Sequence, residues 1–180
     1  YVPDVDSSCH HYGLAHERTT ALLFELDQLL TQLSRSLPRD ARLVITADHG
    51  LLDVPHTGHL PLTGEDSLMA FLDAPPSGDG RMPIFHVRAE LHSEFHRAFE
   101  EHFGEGFALL DSSEAEQLGL FGPKPLSVVS RQRFGDFVGI ALGRVLVHYE
   151  PRRAPLPQHV YLAQHAGLTP EELLIPLIVA

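Results

Sequence analysis

The chain is predicted to be an α/β protein: a layered sheet, incomplete on its own, with a small α+β lobe inserted into it. Three observations predict this. Short apolar runs of strand length alternate with amphipathic stretches of helical period. One of those runs, Leu43-Val-Ile-Thr-Ala47, ends in Asp48-His49-Gly50, and the carboxyl ends of strands are where open α/β sheets bind ligands. Five carboxylate and imidazole residues, Asp6, His10, Asp48, His49 and His165, fall in three clusters that flank a central stretch and suggest one site assembled by the fold.

The elements follow in order. Tyr1-Val2 reads as the end of a strand already under way, followed by an acidic loop; with no initiator Met, the sequence is read as a piece of a longer protein. A helix is expected over residues 14–36. Leu22, Leu26, Leu29, Leu30, Leu33 and Leu37 recur at i, i+4, i+7, i+8, i+11 and i+15, which is one apolar stripe, and Pro38 ends it. Residues 43–47 are β-branched and apolar enough for a buried strand. Residues 51–66 carry Pro55, Gly58, Pro61 and Gly64 and read as loop, 68–72 as a short apolar segment, and 74–80 as a turn or linker. A strand over 84–87 precedes a helix over 90–103 with Phe95, Phe99 and either His102 or Phe103 on one face. A strand over 107–110 precedes a short helix over 112–118 capped by Asp111 or Ser112. Runs at 137–142 and 145–149 flank Gly143-Arg144, a two-residue loop that suits a hairpin. Residues 151–157 read as an exposed connection. Thr169-Pro170-Glu171-Glu172 starts a helix with a cap, a proline at the first helical position and acids in the first turn. Residues 175–179 close as a strand.

This order divides the chain into a site-bearing portion, residues 1–60 and 155–180, and an inserted α+β lobe, residues 61–154. The sequence holds no internal repeat and no low-complexity tract.

Composition excludes several function classes. The 180 residues are 43% hydrophobic and 21% charged, as in an ordinary globular domain. No apolar run approaches the ~20 residues of a membrane-spanning helix, and the first residues have neither the basic nor the apolar region of a signal peptide. A formal net charge of −11 argues against a broad basic patch and hence against a nucleic-acid polymer as partner. The single cysteine, Cys9, excludes an intrachain disulfide and permits a reducing compartment, so the cytoplasm is the expected location. The 13 histidines are many for this length, but abundance alone marks no site.

The three clusters suit a first-row metal such as zinc, which takes imidazole and carboxylate together. Asp6 and His10 are four residues apart; on a helix they would share a face, and in a tight loop they could also converge. Asp4, His11 and His16 compete with them, and a helix-capping Asp beside an exposed His is the plainer reading. Asp48 and His49 would point apart in a strand, but a turn at the strand end can aim both at one ion, with Gly50 permitting the tight backbone. His165 gains weight only from the other two clusters. His56 and His59 read as exposed loop histidines.

Together the motifs resemble the alkaline phosphatase superfamily and, within it, the type I phosphodiesterase/nucleotide pyrophosphatase family. Residues 1–13 resemble its Tyr…Asp-x-x-Gly-His-x-x-Gly segment. Thr46-Ala-Asp-His-Gly-Leu-Leu-Asp-Val-Pro55 resembles its Asp-His-Gly motif. Phe134-Gly-Asp-Phe-Val138 resembles a Gly-Asp motif at the start of a later strand in bacterial members, and His165-Ala-Gly-Leu-Thr-Pro-Glu-Glu-Leu-Leu-Ile-Pro-Leu177 resembles the closing His-Gly segment. The resemblance runs in order along the chain. It implies the α/β/α sandwich of the alkaline phosphatase type, two divalent metal ions, usually zinc, and a phosphodiester or nucleotide-like small-molecule substrate. By resemblance Asp6, His10 and His165 hold one ion, and Asp48 and His49 help hold the other.

The family also needs a further Asp and a Thr or Ser nucleophile from its N-terminal half, and neither has a matching position here. Thr46, Ser7 and Ser8 are the nearest hydroxyls, in motifs where the family does not place its nucleophile. The expectation is therefore the C-terminal part of a phosphoric ester hydrolase, with little or no activity alone. The competing readings are a non-catalytic metal-binding or interaction domain that keeps Asp6, His10 and His165, and a plain α/β domain without metal. Two departures from the family pattern stand out: Cys9 replaces a Gly before the first His, where its side chain is expected to crowd the loop, and Ala166 replaces a common Gly.

Overall fold

The structure is a computed structural model that describes residues 1–152 and 160–180. Of the connection expected over residues 151–157, residues 153–157 lie outside the described residues. The protein is mixed α/β, as its sequence pattern predicts. It divides into two compact units. The first holds Tyr1–Val54, Thr169–Ala180 and the described part of Leu156–His165; the second holds the described part of Pro55–Pro155 and Ala166–Leu168.

The first unit opens with α1, Asp4–Tyr12, followed by α2, Glu17–Ser36. The segment expected as an acidic loop is therefore helical, and Tyr1 and Val2 belong to no strand. The sequence hid α1 because Pro3, at the N-cap, offers no side-chain acceptor, so the usual start signal is missing. The leucine stripe forms α2 as expected, but the helix starts at Glu17, where His16 caps it by accepting from the Arg18 amide.

Strand β1, Val44–Thr46, pairs antiparallel with β10, Leu177–Val179, and β2, Leu52–Asp53, pairs antiparallel with β9, Ala163–Gln164. The expectation of a buried strand over 43–47 is corrected. Val44 is 58% exposed, and all three residues of β10 are exposed. Among the described residues β1 has one hydrogen-bonded neighbour, β10, and a two-stranded ribbon of three residues a side has little area with which to bury its own apolar side chains. On α2, Leu29 and Leu33 are likewise exposed.

The second unit has the larger apolar core. Strand β3, His59–Thr63, runs parallel to β8, Leu146–Glu150. A second sheet has the order β4-β5-β7-β6, with β4 at Ser77–Asp79, β5 at Met82–Phe85, β6 at Phe107–Asp111 and β7 at Phe137–Ala141. Helix α3, His92–Phe103, turns Phe95, Phe99 and Phe103 inward at i, i+4 and i+8, where they pack with Phe85, Phe107 and Phe137. His102, the alternative for that face, is exposed. The short helices α4, Ser112–Gln117, and α5, Val128–Arg133, complete the unit; α5 had no periodic signal, but Ser127 caps it by accepting from the Ser130 amide.

The hairpin expected at Gly143-Arg144 does not form. β7 pairs with β5 and β6, and β8 leaves to pair with β3. The fully buried Arg81 explains the divergence, because its guanidinium donates to the carbonyls of Gly143 and Val145, both at 2.7 Å, and so takes the acceptors of the connection. Asp136, from the Gly-Asp motif, is also structural: its carboxylate accepts from the Val87 amide at 2.8 Å. His59 is buried on β3 rather than an exposed loop histidine.

Candidate metal centre

All five sequence-predicted residues belong to the first unit. Asp6 and His10 sit one turn apart on α1, so the helical alternative is the one the structure adopts. His165 follows β9 and reaches the same place. One donor atom from each of Asp6, His10 and His165 lies within 4.8 Å of the others, the only such group of three among the described residues. The competitors point elsewhere: His11 is exposed and bonds the Ser7 carbonyl, His16 caps α2, and Asp4 is exposed in the first turn of α1.

The donor set carries a detail that the sequence could not show. His10 Nδ1 lies 2.7 Å from the carbonyl oxygen of Ala163. A carbonyl only accepts, so Nδ1 carries a proton, and in the neutral ring Nε2 presents a lone pair. That lone pair lies 3.3 Å from Asp6 Oδ1, which is itself buried and has no hydrogen-bond partner. Two electron-pair donors facing one space repel unless a proton or a cation lies between them. Imidazole fixed through its far nitrogen by a carbonyl is the arrangement that orients metal-binding histidines. The residues present therefore fit a divalent cation with nitrogen and oxygen ligands.

Asp48 and His49 stand beside this group rather than in it. The His49 ring stacks on His165 with centroids 3.9 Å apart, and its Nδ1 donates to the Gly50 carbonyl at 3.0 Å, which leaves Nε2 as the available acceptor. Asp48 is exposed, 3.8 Å from that nitrogen. The neighbourhood comes from a backbone contact: the Gly50 amide donates to the Glu172 carbonyl of α6, Pro170–Leu173, at 2.8 Å. Helix α6 is held by the capping box its sequence announces, with the Glu172 carboxylate accepting from both the backbone N–H and the hydroxyl of Thr169.

The two departures from the motif are now explained. Cys9 lies inside α1, not in a loop, and is buried. Burial pushes its thiol pKa up, and the Asp6 and Asp53 carboxylates push it further, and it is not among the three donors that converge. Ala166 has φ 78°, and it is the only non-glycine residue with positive φ among the described residues. Its Cβ costs roughly 1–2 kcal/mol there, against the ~0.4–1 kcal/mol of unfolded-state entropy that a glycine adds. Ala166→Gly is expected to raise stability by about 0.5–1 kcal/mol, read as a higher midpoint in urea; a lower midpoint would contradict the strain.

Sequence reasoning missed three contributors. Ala163 acts through its carbonyl, which no side-chain motif reports. Tyr161 packs its ring against His10 at 4.7 Å. Asp53, inside the quoted Thr46–Pro55 motif, bonds the turn after α1.

The family model for type I phosphodiesterase/nucleotide pyrophosphatase matches residues 1–161, a span that stops before His165. No curated protein sequence matches the chain. Among solved structures, murine ectonucleotide pyrophosphatase/phosphodiesterase 5 is 14% identical with a TM-score of 0.68 over 97% of this chain and 44% of its own. The human counterpart is 12% identical with a TM-score of 0.69 over the same shares. Phosphonoacetate hydrolase from Sinorhizobium meliloti 1021, in complex with phosphonoacetate, is 22% identical with a TM-score of 0.70 over 97% of this chain and 43% of its own. At these identities the likeness is one of fold, and the chain spans under half the length of each of these structures.

Proposed function

The chain belongs to the type I phosphodiesterase/nucleotide pyrophosphatase family, and from that premise we propose that its first unit is the metal-binding portion of a phosphoric ester hydrolase. The complete site holds two divalent ions, zinc by the chemistry of the donors, and acts on a small phosphodiester or nucleotide-like molecule. Asp6, His10 and His165 hold one ion, and Asp48 and His49 contribute to the other. The observation that carries this reading is the convergence of Asp6, His10 and His165 around a buried carboxylate oxygen that no hydrogen bond satisfies.

The chain's own residues supply binding and orientation. Asp6 brings the negative charge. His10, fixed through Ala163, presents Nε2, and His165 closes the group while its ring carries His49 at stacking distance. Bound there, the ions would stabilise charge on the phosphoryl oxygens. No residue of this chain matches the family's Thr or Ser nucleophile, so the 180-residue chain alone is expected to have little or no hydrolase activity. No described helix is long and apolar enough to cross a membrane.

The test is zinc stoichiometry after dialysis, on this chain and on His165→Ala. The expected result is about one zinc per chain, lost in the variant, since a site with one of three ligands removed holds its ion far less tightly. Zinc absent from the wild-type chain, and absent too from a longer protein carrying the upstream half, would overturn the reading.

A further inference from the structure

Helix α1 has only nine residues and no side-chain bond at its N-cap, so it has little stability of its own. It must be fixed by tertiary bonds if Asp6 and His10 are to keep their geometry. Thr19 of α2 supplies some of them, at 3.0 Å from both the Ser8 hydroxyl and the Gly13 carbonyl; those nearest the ligands come from one ribbon. The Leu162 amide donates to the His10 carbonyl at 2.8 Å, and His10 Nδ1 donates to the Ala163 carbonyl at 2.7 Å. Ala163 is the register partner of Asp53 across β2 and β9. Asp53 then reaches back to the other end of the helix, where both its carboxylate oxygens accept from the Leu14 amide, at 3.0 and 3.3 Å. Leu14 is brought there by Gly13, whose φ of 89° turns the chain sharply at the end of α1.

We propose that Asp53 is a positioning residue for the ligand pair Asp6 and His10, acting by accepting the Leu14 N–H; the inference rests on the metal-site reading above. The same short segment would then serve the site twice. Asp48 and His49 supply donors directly, and Asp53, five residues after Asp48, clamps the helix that supplies the others. The two bonds close a loop of contacts, from β2 through the Asp53 carboxylate to Leu14, along α1 to His10, and through Ala163 back to β9. Losing the Asp53 bond leaves the C-terminal end of α1 tied through Thr19 of α2 alone, so the helix can shift against the ribbon and His10 Nε2 loses its fixed distance to His165.

The experiment compares wild type, Asp53→Ala and Asp53→Asn by zinc affinity in competition with a chelator, and by the imidazole ¹⁵N spectrum of His10 in zinc-free protein. Asp53→Ala is expected to weaken zinc binding about 10-fold, the low end for loss of a group that orients a ligand, and to erase the single Nδ1–H tautomer signature of His10. Asp53→Asn, whose amide oxygen still accepts from Leu14, should restore both. Wild-type zinc affinity and an unchanged His10 spectrum in Asp53→Ala would overturn the proposal. If Asp53→Ala does not fold, Asp53→Asn decides: a folded variant that has lost the His10 signature would show that charge, not acceptance of the Leu14 N–H, matters, and would overturn it. Zinc failing to bind wild type sinks the metal reading, while the His10 spectrum still tests Asp53.

Discussion

Gly50→Ala is expected to lower the stability of the first unit by about 3 kcal/mol and to separate His49 from His165. A Cβ built on Gly50 lies 2.0 Å from the carbonyl oxygen of Glu171, 3.0 Å from its carbonyl carbon and 3.3 Å from the carbonyl oxygen of Leu174. All three are backbone atoms of α6 and its end, so no side-chain rotation relieves the clash. The turn at 48–50 must move away from α6. That movement breaks the 2.8 Å bond from the Gly50 amide to the Glu172 carbonyl, worth about 1 kcal/mol. Overpacking against an unyielding neighbour adds roughly 1–3 kcal/mol. The consequence for the site is larger than the energy suggests, because the Gly50 contact is what sets Asp48 and His49 beside the closing segment. The measurement is urea denaturation followed by circular dichroism, with Gly143→Ala as control, since a Cβ there meets nothing within 4 Å. Equal midpoints for the two variants would refute the argument.

That glycine also marks how far the sequence could be read. The Asp-His-Gly string at the end of an apolar run was legible, as were the α2 leucine stripe, the Phe95–Phe99–Phe103 face and the Thr169 capping box. Each is a local pattern with a local cause: a period, a cap or a turn residue. What the sequence did not give away depended on partners distant along the chain. Helix α1 lacks a start signal and is held by bonds from itself and the turn after it to residues 162, 163, 53 and 19. The divergence of β7 and β8 depends on Arg81, more than 60 positions before the loop it ties. The exposure of Val44 depends on how many strands flank β1, which an apolar run cannot state. The candidate site shows the same division. Its three converging residues could be named from motifs, yet the tautomer of His10 is set by a backbone carbonyl, and Asp53 fell in a stretch that reads as loop.

The sharpest consequence of the His10–Ala163 bond is that Asp6→Asn should act with opposite signs on the metal-free and zinc-loaded protein. In the metal-free protein with the His10 ring neutral, Asp6 Oδ1 faces a lone pair on Nε2 and has no hydrogen bond. An asparagine in the same place turns an N–H toward that lone pair and replaces a repulsion by a hydrogen bond, a gain of about 1 kcal/mol. Against this stands the loss of a negative charge in the first turn of α1, where a carboxylate contributes ~0.3–1 kcal/mol through the helix dipole. The first effect is at least as large, so the metal-free variant should be as stable as wild type or up to about 1 kcal/mol more stable. With zinc the order reverses. A ligand at 1,000 times its dissociation constant stabilises the folded state by about 4 kcal/mol, and the neutral amide is a poor replacement for a carboxylate at a cation. Most of the zinc-induced rise in melting temperature should vanish in Asp6→Asn. Melting curves of both proteins with and without zinc decide it. A variant destabilised without metal yet still raised by zinc as much as wild type would mean that Asp6 serves the helix and not the ion. The crossed pattern would mean that α1 gives up stability to keep a carboxylate where a cation belongs.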